Sequence, residues 1–240
     1  MNAKGKTSIE QSKPKITTAT LMRLAGISAI VTGLCFLVMG VFHPVNEPSS
    51  VDATWVNVHI AATALGFFGL FGMAGLYARQ VEETGWLGLI GFLLFTVWLT
   101  LVCGFSFVEA FILPKLAIES PAFVAGFLNM FSGGPSEVDL GVLPTIWNIS
   151  GPMYILGPML FGIATFRARV LPRWAGALLA LNIVWAPLGG VVPPAYQPWI
   201  IVPVGLAIAW LGYALVSERR ENASELAPAR SARPQPSKAG

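Results

Sequence analysis

Six apolar stretches, 21–42, 55–77, 86–113, 146–166, 174–192 and 198–216, hold only two charged residues between them, Arg23 and Glu109. Each is close to the length, about 20 residues, that a helix needs to cross a bilayer's hydrocarbon core. Lipid offers no hydrogen bonds to backbone amides, so each stretch must be helical. The expected fold class is an all-α membrane protein, a six-transmembrane-helix bundle spanning residues 19–217. The charge content agrees: 11% of the residues are charged, against about a quarter in soluble domains.

The connections set the orientation. All but one of the 15 Lys and Arg lie before or within the first turn of 21–42, just after 55–77, in 167–173, or after 216; Lys115 is the exception. The positive-inside rule then puts both the N and C termini in the cytoplasm. The same dispersal excludes nucleic acid as the expected partner despite a pI of 9.0. A nucleic-acid binder gathers its basic residues on one face. The lipid bilayer is the expected partner.

The tails, 1–18 and 218–240, are poor in large apolar residues and are read as disordered cytoplasmic segments. The stretch 21–42 is too long for a cleaved signal, and "GVFHPV" is a poor cleavage site. Outward helices open with "RLAG", "GWLG" and "RWAG", and Trp55, Trp147 and Trp199 stand near the starts of the returning ones. The intervals are unequal, so the pattern is three out-and-back hairpins rather than a strict repeat. In the outer connection 114–145, "SPAFVAGFLNMF" offers Ser120 as N-cap and Pro121 at the first helical position. Phe123, Phe127 and Met130 share a face, which predicts a short interfacial helix over 120–131.

Gly66, Gly69, Gly72 and Gly75 make one smooth face on 55–77. Such a face serves close helix packing within the chain or a homo-oligomer seam. Pro152, Pro158, Pro187 and Pro203 each free a backbone carbonyl one turn earlier and bend the helix that carries them. Kinked outer halves leave room for a cavity. Cys35 and Cys103 stand alone in apolar runs and read as small buried hydrophobes. Asn182, mid-membrane, reads as an interhelical hydrogen bond.

Candidate functional residues gather at one depth. His43 ends the first apolar stretch, His59 lies one turn into the second, and Glu109 lies about 6 Å from the outer end of the third at 1.5 Å per residue. Asn57, Asn148, Ser150 and Tyr154 stand at similar depth. Ionisable groups in a membrane face a bundle interior or water and find a partner. The readings of these residues differ. His43 reaches the headgroups, His59 donates to a carbonyl or meets Glu109, and a neutral Glu109 bonds Ser106. Alternatively, His59 and Glu109 form a ligand or proton site, with His43 beside it. A three-ligand metal set, or a haem between the histidines, is a further alternative, although their spacing matches no metal motif. No P-loop, dinucleotide fingerprint, zincin motif or nucleophile elbow is present.

"GIATFRARVLPRWAGALLAL" (162–181) resembles the fourth-to-fifth-helix turn of uncharacterised bacterial multi-pass membrane proteins, which carry an L-P-R-x-x-G turn between two spans. "LMRLAGISAIVTGLCFLV" (21–38) is similar to their first helix. The resemblance implies a bacterial cytoplasmic-membrane location and transfers no functional residue. The expected role is a small-molecule or ion-handling bundle, or an accessory protein. No cofactor is expected, and the outer polar site holds His59, Glu109, His43, Asn57, Asn148 and Tyr154. The alternatives are a metal- or haem-binding redox protein and a purely structural or partner-binding protein.

Overall fold

The computed structural model describes residues 16–231, and the tail segments 1–15 and 232–240 lie outside them. The described chain is helical, with no strand among its residues. Its helices are α1 (Thr18–Phe42), α2 (Ala53–Arg79), α3 (Val81–Phe111), α4 (Leu113–Glu119), α5 (Pro121–Phe131), α6 (Leu143–Ala168), α7 (Arg173–Ala180), α8 (Asn182–Leu188) and α9 (Val202–Ser231). A 3-10 segment, Pro194–Ile201, leads into α9.

Local chemistry explains where the long helices start. The Thr17 hydroxyl accepts from the Thr20 amide at the start of α1, and Asp52 caps α2 by accepting from the Trp55 amide at 2.9 Å. Gly85 bends the first turn of α3, with φ +55° and ψ −155°, a conformation that glycine alone adopts freely. Arg169 ends α6 in the left-handed region, and Pro172 follows as the cap of α7.

Five segments are long and apolar enough to cross a membrane: Thr18–Phe42, Ala53–Arg79, Val81–Phe111, Leu143–Ala168 and Tyr196–Glu218. The sixth apolar stretch, 174–192, is not one helix. It breaks at Leu181 into α7 and α8, both too short to span alone. One other expectation needs revision. The connection 114–145 holds two helices, because Pro114 starts α4 before Ser120 interrupts it. The segment from 218 onward continues α9 as helix to Ser231, in keeping with its run of Ser-Glu-Arg-Arg-Glu and further Ala and Glu, mostly good helix formers.

The long helices close a ring. α1 packs on α2 and α9, α2 on α3, α3 on α6, α6 on α7, and α7 on α9. Glycine lines the seams. A methyl group added at Gly212 would stand 2.7 Å from the Gly26 carbonyl, across α1 and α9. One at Gly66 would stand 2.7 Å from the Leu99 carbonyl, one at Gly157 2.7 Å from the Phe95 amide, and one at Gly176 2.9 Å from the Gly162 carbonyl. In lipid, apolar area gives little drive to associate, so backbone approach of this kind supplies the contact energy. On α1, Gly26, Gly33 and Gly40 recur every seven residues, which keeps the seam on one face. Gly66, Gly69, Gly72 and Gly75 are all buried against α1 or α3 of the same chain. That face is taken up inside the ring.

Towards the end where α1 begins the interior of the ring is packed with apolar side chains. Met73, Leu76, Phe95, Phe161, Leu179, Leu211 and Leu215 fill it. At the opposite end the helices leave a gap, and α5 lies across part of it. α5 is not a free interfacial helix: Val124, Phe127 and Leu128 are buried against a cluster that includes Trp55, Phe105 and Leu113. Ser120 makes no side-chain cap there, and the Pro121 start is what the helix keeps.

Candidate functional site

The gap is a cavity of about 710 Å³. Its walls come from α1, α2, α3, α6 and the 3-10 segment before α9. Its floor is aromatic: Trp98 lies between Phe36, with centroids 6.1 Å apart, and Tyr154 at 4.5 Å. Its rim carries Asn46 and Glu47 after α1, Asn129 at the end of α5, and Gln197.

His59 is set by its own helix. Its ring stacks on Trp55, with centroids 4.1 Å apart, and its Nδ1 lies 2.8 Å from the Trp55 carbonyl. A carbonyl only accepts, so Nδ1 carries a proton and donates. Nε2 is then turned to the Glu109 Oε2, 3.5 Å away, with both side chains buried. Trp55 also donates from Nε1 to the Glu109 carbonyl at 3.1 Å, tying the start of α2 to the end of α3. The two alternatives for His59, a carbonyl or Glu109, are thus both met, one by each ring nitrogen. The separation of Nε2 from the carboxyl is beyond a good hydrogen bond, so the carboxyl keeps capacity for a third group. Ser106 lies one turn before Glu109, buried on the same cavity wall.

His43 does not reach outward to headgroups. It caps α1 and turns in. Its Nδ1 donates to the Pro44 carbonyl at 2.6 Å, and its ring meets the edges of His59 at 5.0 Å and Trp55 at 5.9 Å. Burial lowers its pKa from 6.5, against a smaller opposing effect of the Pro44 hydrogen bond. Tyr154 lines the cavity from α6, and its hydroxyl is buried without a hydrogen-bond partner.

Four of the six expected residues therefore meet: His43, His59, Glu109 and Tyr154. Asn57 and Asn148 do not; both are exposed on the outside of the bundle. Asn57 is two residues from His59, about 200° round the helix, so the shared depth hid an opposite face. Ser150, expected at this depth, lines the cavity, and so do Trp98, Asn46 and Glu47, which had not been singled out. A signal existed for α6, where Trp147, Ser150, Gly151 and Tyr154 recur at helical spacing. None existed for Asn46 and Glu47, which sit in a loop. Among the described residues, no group of three or more His, Cys, Asp or Glu is arranged to hold a metal ion.

No family model, curated protein or solved structure matches the chain. The cavity's chemistry is a buried imidazole–carboxyl pair with unsatisfied polar atoms beside an aromatic floor. That arrangement can bind and orient a molecule of moderate size, and it can hold or pass one proton.

Proposed function

We propose that this chain is a six-pass protein of a bacterial cytoplasmic membrane that binds a small molecule in a pocket in the outer half of the bundle. Both termini are cytoplasmic in this reading, which follows the distribution of Lys and Arg. The broken sixth stretch supports six passes by its position. It starts beside the end of α6, and the 3-10 segment that follows it reaches Gly40 at the far end of α1. α7 and α8 thus fill the one place in the ring that a sixth crossing would take.

The observation that carries the binding reading is the His59–Glu109 pair, 3.5 Å apart on the wall of a cavity of about 710 Å³. Pockets of about 300–1,000 Å³ with a few converging polar groups are the usual form of small-molecule sites. Intramembrane ionisable residues that face a bundle interior mark such sites by default.

The test is thermal unfolding of detergent-purified protein against a chemically broad panel of small molecules. The expected result is a compound that raises the wild-type midpoint by several degrees and leaves Tyr154→Leu unmoved. A panel without effect on the wild type overturns the reading in favour of a structural or partner-binding role. An absorption spectrum and elemental analysis run beside it. A stoichiometric metal or haem, lost in His59→Ala with Glu109→Gln, would make the protein a metalloprotein. For topology, an impermeant maleimide should label Ser136→Cys in intact cells and spare Glu82→Cys.

A further inference from the structure

The charged groups of the cavity are one-sided. Glu109 and Glu47 bring two carboxyl groups, and no Lys or Arg is among the described residues that line it. Both histidines use Nδ1 to donate to backbone carbonyls, at 2.8 Å for His59 and 2.6 Å for His43. Each neutral imidazole then has only the Nε2 lone pair to offer, an acceptor. The Asn46 Oδ1, also in the lining, is a buried acceptor with no partner. A buried acceptor without a donor is costly, and the Tyr154 hydroxyl, the other unpartnered buried polar atom in the lining, can accept as well as donate.

The rest of the wall is apolar, with aliphatic side chains such as Met39, Leu65 and Val102 beside several aromatic rings. Trp98, Tyr154 and Phe36 make the floor, and Phe131 meets Trp147 edge-on with centroids 4.6 Å apart near the rim. Aromatic faces attract cations and tolerate apolar bodies, and they repel anions. A bare metal ion leaves most of about 710 Å³ empty. An anion meets two carboxyl groups and no fixed positive charge.

We infer that the cavity takes an organic ammonium, a molecule with a cationic N–H head near Glu109, His59 and Asn46 and an apolar or aromatic body on the Trp98–Tyr154 floor. This rests on the small-molecule reading above and names the ligand's class. The same head occurs on soluble amines and on the phosphatidylethanolamine headgroup, and both fit this chemistry.

The experiment is calorimetric titration of the full chain in dodecyl maltoside with three probes of one shape: tryptamine, the neutral tryptophol and the anionic indole-3-propionate. Tryptamine is expected to bind at least about tenfold more tightly than the other two, the equivalent of one charge-assisted hydrogen bond. Glu109→Gln should abolish that preference and leave tryptophol binding within about twofold. Glu47→Gln, at an exposed rim position that does not disturb folding, should weaken tryptamine about two- to threefold, the scale of an exposed charge. Added phosphatidylethanolamine that displaces tryptamine points to the lipid as the source of the head; no displacement points to a soluble amine. Tight binding of tryptophol or indole-3-propionate by the wild type overturns the ammonium inference and leaves the small-molecule reading standing. If none of the three binds, the ammonium inference also fails, and the broad panel judges the pocket on its own.

Discussion

Asn182 at the start of α8 donates from Nδ2 to the carbonyl of Tyr154 on α6, at 2.6 Å. That carbonyl is the one Pro158 leaves without its helical donor, because proline has no N–H. The Pro158 kink and the α7–α8 break are therefore two halves of one lock. It fixes the backbone of the residue whose ring forms the cavity floor.

Removing the donor should cost stability. Asn182→Leu is expected to lose about 1–2 kcal/mol by orphaning the Tyr154 carbonyl. Pro158→Ala supplies an in-helix N–H to that carbonyl, so in the Asn182→Leu background it should restore part of the loss. A double-mutant cycle on unfolding in detergent reads the coupling, and simple additivity would contradict the lock.

The seam between α1 and α9 sets a second expectation. A methyl group at Gly33 meets the Gly205 carbonyl and Ala209, whereas one at Gly104 meets nothing within 4 Å. Gly33→Ala should destabilise by about 1–3 kcal/mol through overpacking. Gly104→Ala should be neutral or slightly stabilising. Equal melting of the two variants would rule out the glycine seam as a packing device.

Gly85 separates backbone strain from crowding. Nothing lies within 4 Å of an added Cβ there, yet φ is +55°. Gly85→Ala should cost about 1–2 kcal/mol from conformation alone. A crystal structure of the variant would show either the kept kink or a straightened first turn of α3.

His43 gives the pH dependence. Its pKa is lowered from 6.5 by burial in the fold, so below pH 6.5 the unfolded chain binds this proton more readily. The contribution of neutral His43 is present in full above that value. It is lost as pH falls from 6.5 towards the lowered folded pKa. Melting curves of wild type and His43→Gln should run parallel above pH 7 and diverge below 6.5, with the wild type losing more. Parallel curves down to pH 5 would contradict it.

Depth was legible in the sequence, and direction only in part. Apolar run length located α1, α2, α3, α6 and the span before Glu218, because lipid imposes length and polarity directly. The break at Leu181 was not visible, since "ALLALNIVW" is apolar throughout and the break depends on Asn182 reaching α6. His59 and Glu109 were found because a charge inside a membrane is costly wherever it points. Their meeting needed the ring, which no single helix encodes. Asn57 and Asn148 were placed at the right depth on the wrong face. Polarity alone does not distinguish lining a cavity from facing outward near the end of a span.

The rim of the cavity has a kinetic consequence. A ligand that enters and leaves across the rim passes the same barrier both ways, so microscopic reversibility governs that route. A substitution at Asn129, which lies at the mouth and does not touch the buried pair, should slow or speed entry and exit by one common factor. Affinity would then stay fixed while residence time changes. Glu109→Gln should do the reverse, leaving the on-rate and shortening the stay.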